Sequence, residues 1–240
     1  MAAQGGPKVP RASLVCAYDA ANYKSYPGSG TTWYDLSGNG YHLTLNSAGT
    51  WNSAGARSYM DFTAGIAKYL PGGSLTDIPG TGGGPGTICI FSTIKAPDSD
   101  WKTLVRGSGG DHQVIIYADT GIDLGMYDND GAGFLDSGFD VDTLSNRTTE
   151  YHFMAWKLDT SSPYYQFYYD QNLSSAASTI TNSNATFNNG FAGVGAYHNA
   201  NSSPTSFSQE FGAIRMFLFY NKHLSETELR EVYNSYKSRL

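Results

Sequence analysis

Acidic and basic side chains are scarce in this chain: Asp, Glu, Lys and Arg together make up 15% of its 240 residues. The formal net charge is -6. Without clustered Lys and Arg, a nucleic-acid partner is not expected. No stretch is long and apolar enough to span a membrane. Met1 to Ser13 lacks the apolar run of a secretory leader, so no signal peptide is expected there. Only two cysteines are present, Cys16 and Cys89, each inside an apolar run and with no metal or redox spacing. They read as small buried apolar side chains, with a disulfide as the alternative. The glutamates number five: Glu150, Glu210, Glu226, Glu228 and Glu231. None sits in the alternating carboxylate array that a glycosidase strand would carry. Nucleophile-elbow, zinc-protease, phosphate-loop and dinucleotide-binding patterns are missing too, so no catalytic role is expected.

What the chain does have is turn and strand chemistry. Glycine is present 28 times, tyrosine 18 and phenylalanine 12, alongside many Ser, Thr and Asn residues. Aromatic residues suit pleated surfaces, and Gly, Asn, Asp and Ser suit turns. Short strands are expected over 14–18, 42–45, 59–62, 87–95, 102–106, 113–117, 122–127, 150–158, 164–169, 191–196 and 212–220. That spacing predicts an antiparallel sandwich or barrel rather than βαβ units. The run Tyr164–Tyr169 is apolar on both faces, so it is either a central strand covered twice or a face that meets another chain. Residues 1–12 read as an extended arm, either disordered or laid on a neighbouring subunit, and residues 13–240 as one domain.

One helix is expected, at the end. Ser225 and Glu228 form a capping box, with Leu224 and Leu229 at the flanking staple positions. Leu229, Val232, Tyr233 and Tyr236 then make one apolar stripe.

Two segments carry a resemblance. Ser29–Leu43 contains Trp33-Tyr34-Asp35-Leu36-Ser37-Gly38-Asn39-Gly40, and Phe211–Ser225 contains Gly212-Ala213-Ile214 and Tyr220-Asn221-Lys222-His223-Leu224-Ser225. Together with Tyr151–Asp159 and Tyr164–Asp170, they resemble the laminin-G-like, concanavalin-A-like jelly-roll domains. The opening and closing motifs look especially like copies found in bacteriophage structural proteins. The resemblance implies an all-β, two-sheet antiparallel jelly roll with a short C-terminal helix. It further implies a non-enzymatic virion structural protein, a capsid decoration or fibre component, docked on other virion proteins or on copies of itself. Such a protein sits on the virion surface, with host-surface glycans as a further partner. The alternatives are a stand-alone extracellular lectin-like module and, third, a glycoside hydrolase with an unrecognised site.

Candidate ligand groups follow from residue type. Sugar rings stack on exposed aromatics beside polar acceptors. Trp101 (near Asp98 and Asp100), Tyr127 with Asp128, and Tyr197 with His198 and Asn199 qualify, although a role in packing is the competing reading for each. No cofactor is required. A calcium ion would take Asp19, Asp35 and Asn39, as the resemblance to related jelly rolls implies, or Asp128-Asn129-Asp130-Gly131. Turn chemistry is the favoured reading of both clusters: Asx turns for the first and a hairpin for the second.

Overall fold

A computed structural model of the chain describes residues 8–45, 51–62, 66–74, 76–78, 85–95, 101–117, 122–129, 131–181, 190–196 and 210–239. Two antiparallel sheets face each other across a shared core. Strands β1 (Leu14–Asp19), β4 (Trp51–Asn52), β5 (Tyr59–Met60), β7 (Gly86–Ser92), β12 (His152–Leu158), β13 (Tyr165–Tyr169), β14 (Ser178–Ile180) and β16 (Ile214–Tyr220) form the first. Its order is β14-β13-β12-β7-β16-β5-β4, with β1 also on β16. The second runs β11 (Gly133–Asp140), β10 (Asp123–Asp128), β9 (His112–Tyr117), β8 (Lys102–Arg106), β15 (Gly193–Val194), β6 (Ala67–Lys68), β3 (Leu43–Leu45) and β2 (Thr32–Trp33). The expected all-β sandwich is therefore observed.

The central strands of the first sheet are apolar on both faces because both faces are covered. Ile88 and Ile90 of β7, Met154 and Trp156 of β12, and Phe217 and Phe219 of β16 point into the inter-sheet core. Their neighbours Cys89, Phe91, Phe153, Ala155, Met216 and Leu218 point the other way. Helix α1 (Glu226–Tyr236) covers this second face with Leu229, Val232 and Tyr236. Its start is fixed by the expected capping box: the Ser225 hydroxyl accepts from Glu228 N, and Ser225 N donates to the Glu228 carboxylate at 2.9 Å. Such a cap contributes about 1 kcal/mol. Cys16 lies in the inner cluster and Cys89 in the outer one, and both are free thiols. A sheet separates the two sulfurs, which rules out a bond between them.

The double-faced run at 164–169 resolves in the same way. Tyr165 and Phe167 of β13 enter the core, while Tyr168 joins the outer cluster beneath Lys157. Residues 8–12, the described part of the expected arm, lie along the chain's own domain. Lys8 O accepts a hydrogen bond from Ser235 Oγ, Val9 packs on the outer cluster, and Arg11 donates to Leu36 O.

The loop that carries the first resemblance motif seals the open edge of β1. Ala17 N donates to Asp35 Oδ1 at 2.9 Å, and Asn39 Nδ2 donates to Leu14 O and Val15 O at 3.0 and 2.8 Å. The same Asp35 carboxylate accepts from Ser37 N, Ser37 Oγ, Gly40 N and Tyr41 N. Edge groups that a further strand would have paired are thus satisfied by side chains.

The structure adds short strands that the sequence pattern leaves out, and one long strand, β11. There Asp136-Ser137-Gly138 forms a bulge in an edge strand: Leu124 pairs with Phe139, and Gly125 already with Asp136.

Replacing Asp35 with Ala leaves buried amides without acceptors. We expect a loss of roughly 2 to 4 kcal/mol in urea unfolding, with an unchanged m-value. A loss under about 0.5 kcal/mol would show that the seal is dispensable.

Candidate functional site

On β10, Leu124 and Met126 enter the core, so Asp123, Gly125 and Tyr127 face outward. Ile116 of β9 and Leu135 of β11 also turn inward, which places Tyr117 and Phe134 on the same outer face as Tyr127. Trp101, just ahead of β8, lies across them. Its indole stacks on Tyr117 with centroids 4.2 Å apart and meets Tyr127 and Phe134 edge-on at 5.5 Å each. All four rings are partly exposed. His112 continues the row with an edge contact to Tyr127 at 5.9 Å, and its Nδ1 lies 3.0 Å from Thr103 Oγ1.

Gly125 makes this arrangement possible. A Cβ there would stand 2.7 Å from the Phe134 ring and 2.3 Å from Leu135 O. The ladders on both sides of β10 slip in register at this glycine. The ring of Phe134 occupies the space that a side chain would need.

Of the residues expected to meet a ligand, the structure brings Trp101 and Tyr127 together. Asp128 is turned the other way and accepts from Ala132 N at 3.2 Å, holding the β10–β11 hairpin. β10 and β11 pair as far as Asp128 and Gly133. Tyr197, His198 and Asn199 lie outside the described residues, as do Asp98 and Asp100. Asp19, Asp35 and Asn39 are each engaged by groups of the chain itself. Asp19 Oδ1 accepts from Ala21 N, the Asp35 carboxylate is filled by N–H and O–H donors, and Asn39 turns its amide nitrogen to β1. No group of three His, Cys, Asp or Glu side chains is arranged to hold a metal ion among the described residues.

Sequence reasoning passed over Tyr117, Phe134 and a second feature, a cleft of about 480 Å³ at one end of the sandwich. Tyr59, Asp61, Thr93, Lys95, Tyr151 and Glu210 are among its lining residues. Glu210 is 1% exposed and forms an ion pair with Lys95. Tyr59 and Tyr151 approach at 6.1 Å, and the Arg215 guanidinium lies 3.4 Å over the Tyr151 ring. Burial pushes the Tyr151 phenol up to about 12, despite the opposing pull of Arg215. It is therefore a neutral hydroxyl at ordinary pH. A glycosidase motif carries its carboxylates on alternate residues of one strand, whereas Asp61 and Glu210 come from distant parts of the chain.

The loop bearing Thr148 and Thr149, also part of this lining, is held by His152. Its Nδ1 lies 2.8 Å from Asp170 Oδ2 and its Nε2 lies 3.0 Å from Ser145 O. Both partners are acceptors, an arrangement that the doubly protonated ring satisfies in full and a neutral ring only in half. The hydrogen bond to Asp170 is the main cause of its raised pKa, against the opposing effect of burial.

No family model matches the chain, and neither does any curated protein. Solved structures are similar in fold. A mutant of Trypanosoma rangeli sialidase displaying trans-sialidase activity aligns over 97% of this chain and 34% of its own, at 13% identity and a TM-score of 0.57. The T. rangeli sialidase in complex with sialic acid aligns over 99% and 35%, at 13% identity and a TM-score of 0.54. The chain thus spans about a third of the length of these sialidases. Domain 4 of AbnA, a GH43 extracellular arabinanase from Geobacillus stearothermophilus, in complex with arabinotriose, aligns over 92% of this chain and 98% of its own. Its identity is 14% and its TM-score 0.59. At these identities the likeness is one of fold.

These likenesses correct the expectation of no catalytic role, because the sandwich is found within sialidases and as a domain of an arabinanase. They lend no support to the virion reading.

His152 generates a pH prediction. An unfolded histidine titrates near 6.5, roughly its ordinary value, and the folded one above it. The stabilisation from the Asp170 pair is therefore complete below the ordinary value and is lost as pH rises through the folded pKa. Melting curves of the wild type and His152→Phe should differ most near about pH 5.5 and converge toward about pH 9. A gap that widens with pH would show that the ring is neutral in the fold.

Proposed function

We propose that this chain is a carbohydrate-recognition domain whose primary contact is the outer face of the second sheet around Trp101. The observation that carries the reading is the assembly of four partly exposed rings, from β9, β10, β11 and the lead-in to β8, on one surface. Aromatic faces bind the C–H faces of sugars, and the four rings present such a surface. The fold of the arabinanase domain in complex with arabinotriose is consistent with this use. The ligand class is an oligosaccharide or the exposed end of a polysaccharide, including glycans on a cell surface.

Isothermal titration with arabino-oligosaccharides and a polysaccharide panel tests the reading, and release of reducing ends is measured on the same mixtures to detect turnover. We expect wild-type binding that Trp101→Ala and Tyr127→Ala each weaken about tenfold or more. Circular dichroism should show the fold retained. Failure of every glycan to bind, or binding indifferent to both substitutions, would refute it.

A further inference from the structure

A buried carboxylate oxygen with no hydrogen-bond partner calls for a physical explanation, since desolvation without compensation is costly. Glu210 Oε2 is such an atom among the described residues. Its sister oxygen is engaged by Lys95, whose own side chain is 39% exposed at the rim of the cleft. The residue is held by backbone on either side: it bridges Thr103 of β8 in parallel, and Lys95 N donates to the next residue's carbonyl, Phe211 O, at 2.8 Å.

The floor of the cleft is equally fixed. Thr93 N donates to Ala213 O at 3.1 Å and Ala213 N donates to Thr93 Oγ1 at 3.0 Å. Gly212 sits so close to this backbone that a Cβ would stand 1.9 Å from Thr93 O. Above the floor, Tyr59 and Tyr151 supply ring surface, and Arg215 fixes the orientation of Tyr151.

We propose that this cleft is a second ligand site, separate from the Trp101 face, which accepts one neutral, hydroxyl-bearing sugar residue. Charges of both signs surround it: the carboxylates of Asp61 and Glu210 and the cation Lys95 line it, Arg215 lies over the Tyr151 ring, and Arg57 stands near Arg215. A ligand of either charge would meet a like charge there, which favours a neutral one. A sugar hydroxyl can donate to Glu210 Oε2 and accept from Lys95 at once, which a purely apolar ligand cannot do. The tyrosine rings face the C–H surface. Such a site orders a glycan at a point away from the aromatic face, so a chain reaching both gains affinity through linkage.

The test uses the full chain carrying Trp101→Ala, so that the first face does not contribute. Arabinose, galactose and glucose are titrated in turn while amide shifts are followed by NMR, with N-acetylneuraminic acid and glucosamine as charged controls. We expect a neutral sugar to move the amides of Thr93, Ala213 and Thr149 and the charged sugars to move them less. Adding Glu210→Gln should weaken the neutral sugar about tenfold. Should Glu210→Gln fail to fold, Asp61→Asn carries the test with the same expected loss. Silence at the cleft amides, an equal or stronger response to a charged sugar, or unchanged affinity in the folded variants would overturn the proposal. Binding at the Trp101 face is read independently in the titration of the unsubstituted chain.

Discussion

Coverage of the first sheet on both faces is the constraint from which the rest of the molecule follows. β7, β12 and β16 alternate two apolar sets, one for the inter-sheet core and one for helix α1. Neither set could be left in water without exposing a row of large side chains. The helix is therefore part of the sheet's solvation, and the capping box at Ser225 matters because it fixes where that cover begins. With the outer face of the first sheet occupied in this way, the aromatic cluster that remains partly open falls to the second sheet.

Much of this was legible from residue order. The strands of the core have strong alternation or continuous apolar runs, and β8 is found at the residues expected for it. The final helix carried its own start signal. Strands of two or three residues, such as β2, β4 and β6, are too short for any periodicity to show. They exist because neighbouring strands hold them. β11 was hidden for a different reason: Asp136, Ser137 and Gly138 have turn chemistry, and the chain uses it to make a bulge within an edge strand.

The site was legible only in part. Trp101 and Tyr127 could be nominated as aromatics near loops, but nothing in their spacing said that they would meet. Their meeting depends on the pairing of β9, β10 and β11 and on a glycine that lets Phe134 lie across a strand. The cleft at Glu210 was hidden more deeply, since its groups come from β5, from the segments after β7 and before β16, and from the approach to β12. The Asp35 motif illustrates the opposite case. Its residue types suit a metal ion, yet its oxygens are occupied by the chain's own donors. Residue type nominated the ligands, and hydrogen-bond accounting assigned them to the edge of β1.

The place of β16 has a consequence for how the molecule comes into being. Although it is the last strand in order, it lies between β7 on one side and β1 and β5 on the other. A ribosome delivering the chain from its N-terminus releases β1, β5 and β7 long before the strand that joins them. Until then their edges are unpaired, and the nascent segment must avoid premature association. Closure of the first sheet is thus a late and highly non-local event, which predisposes the domain to slow folding.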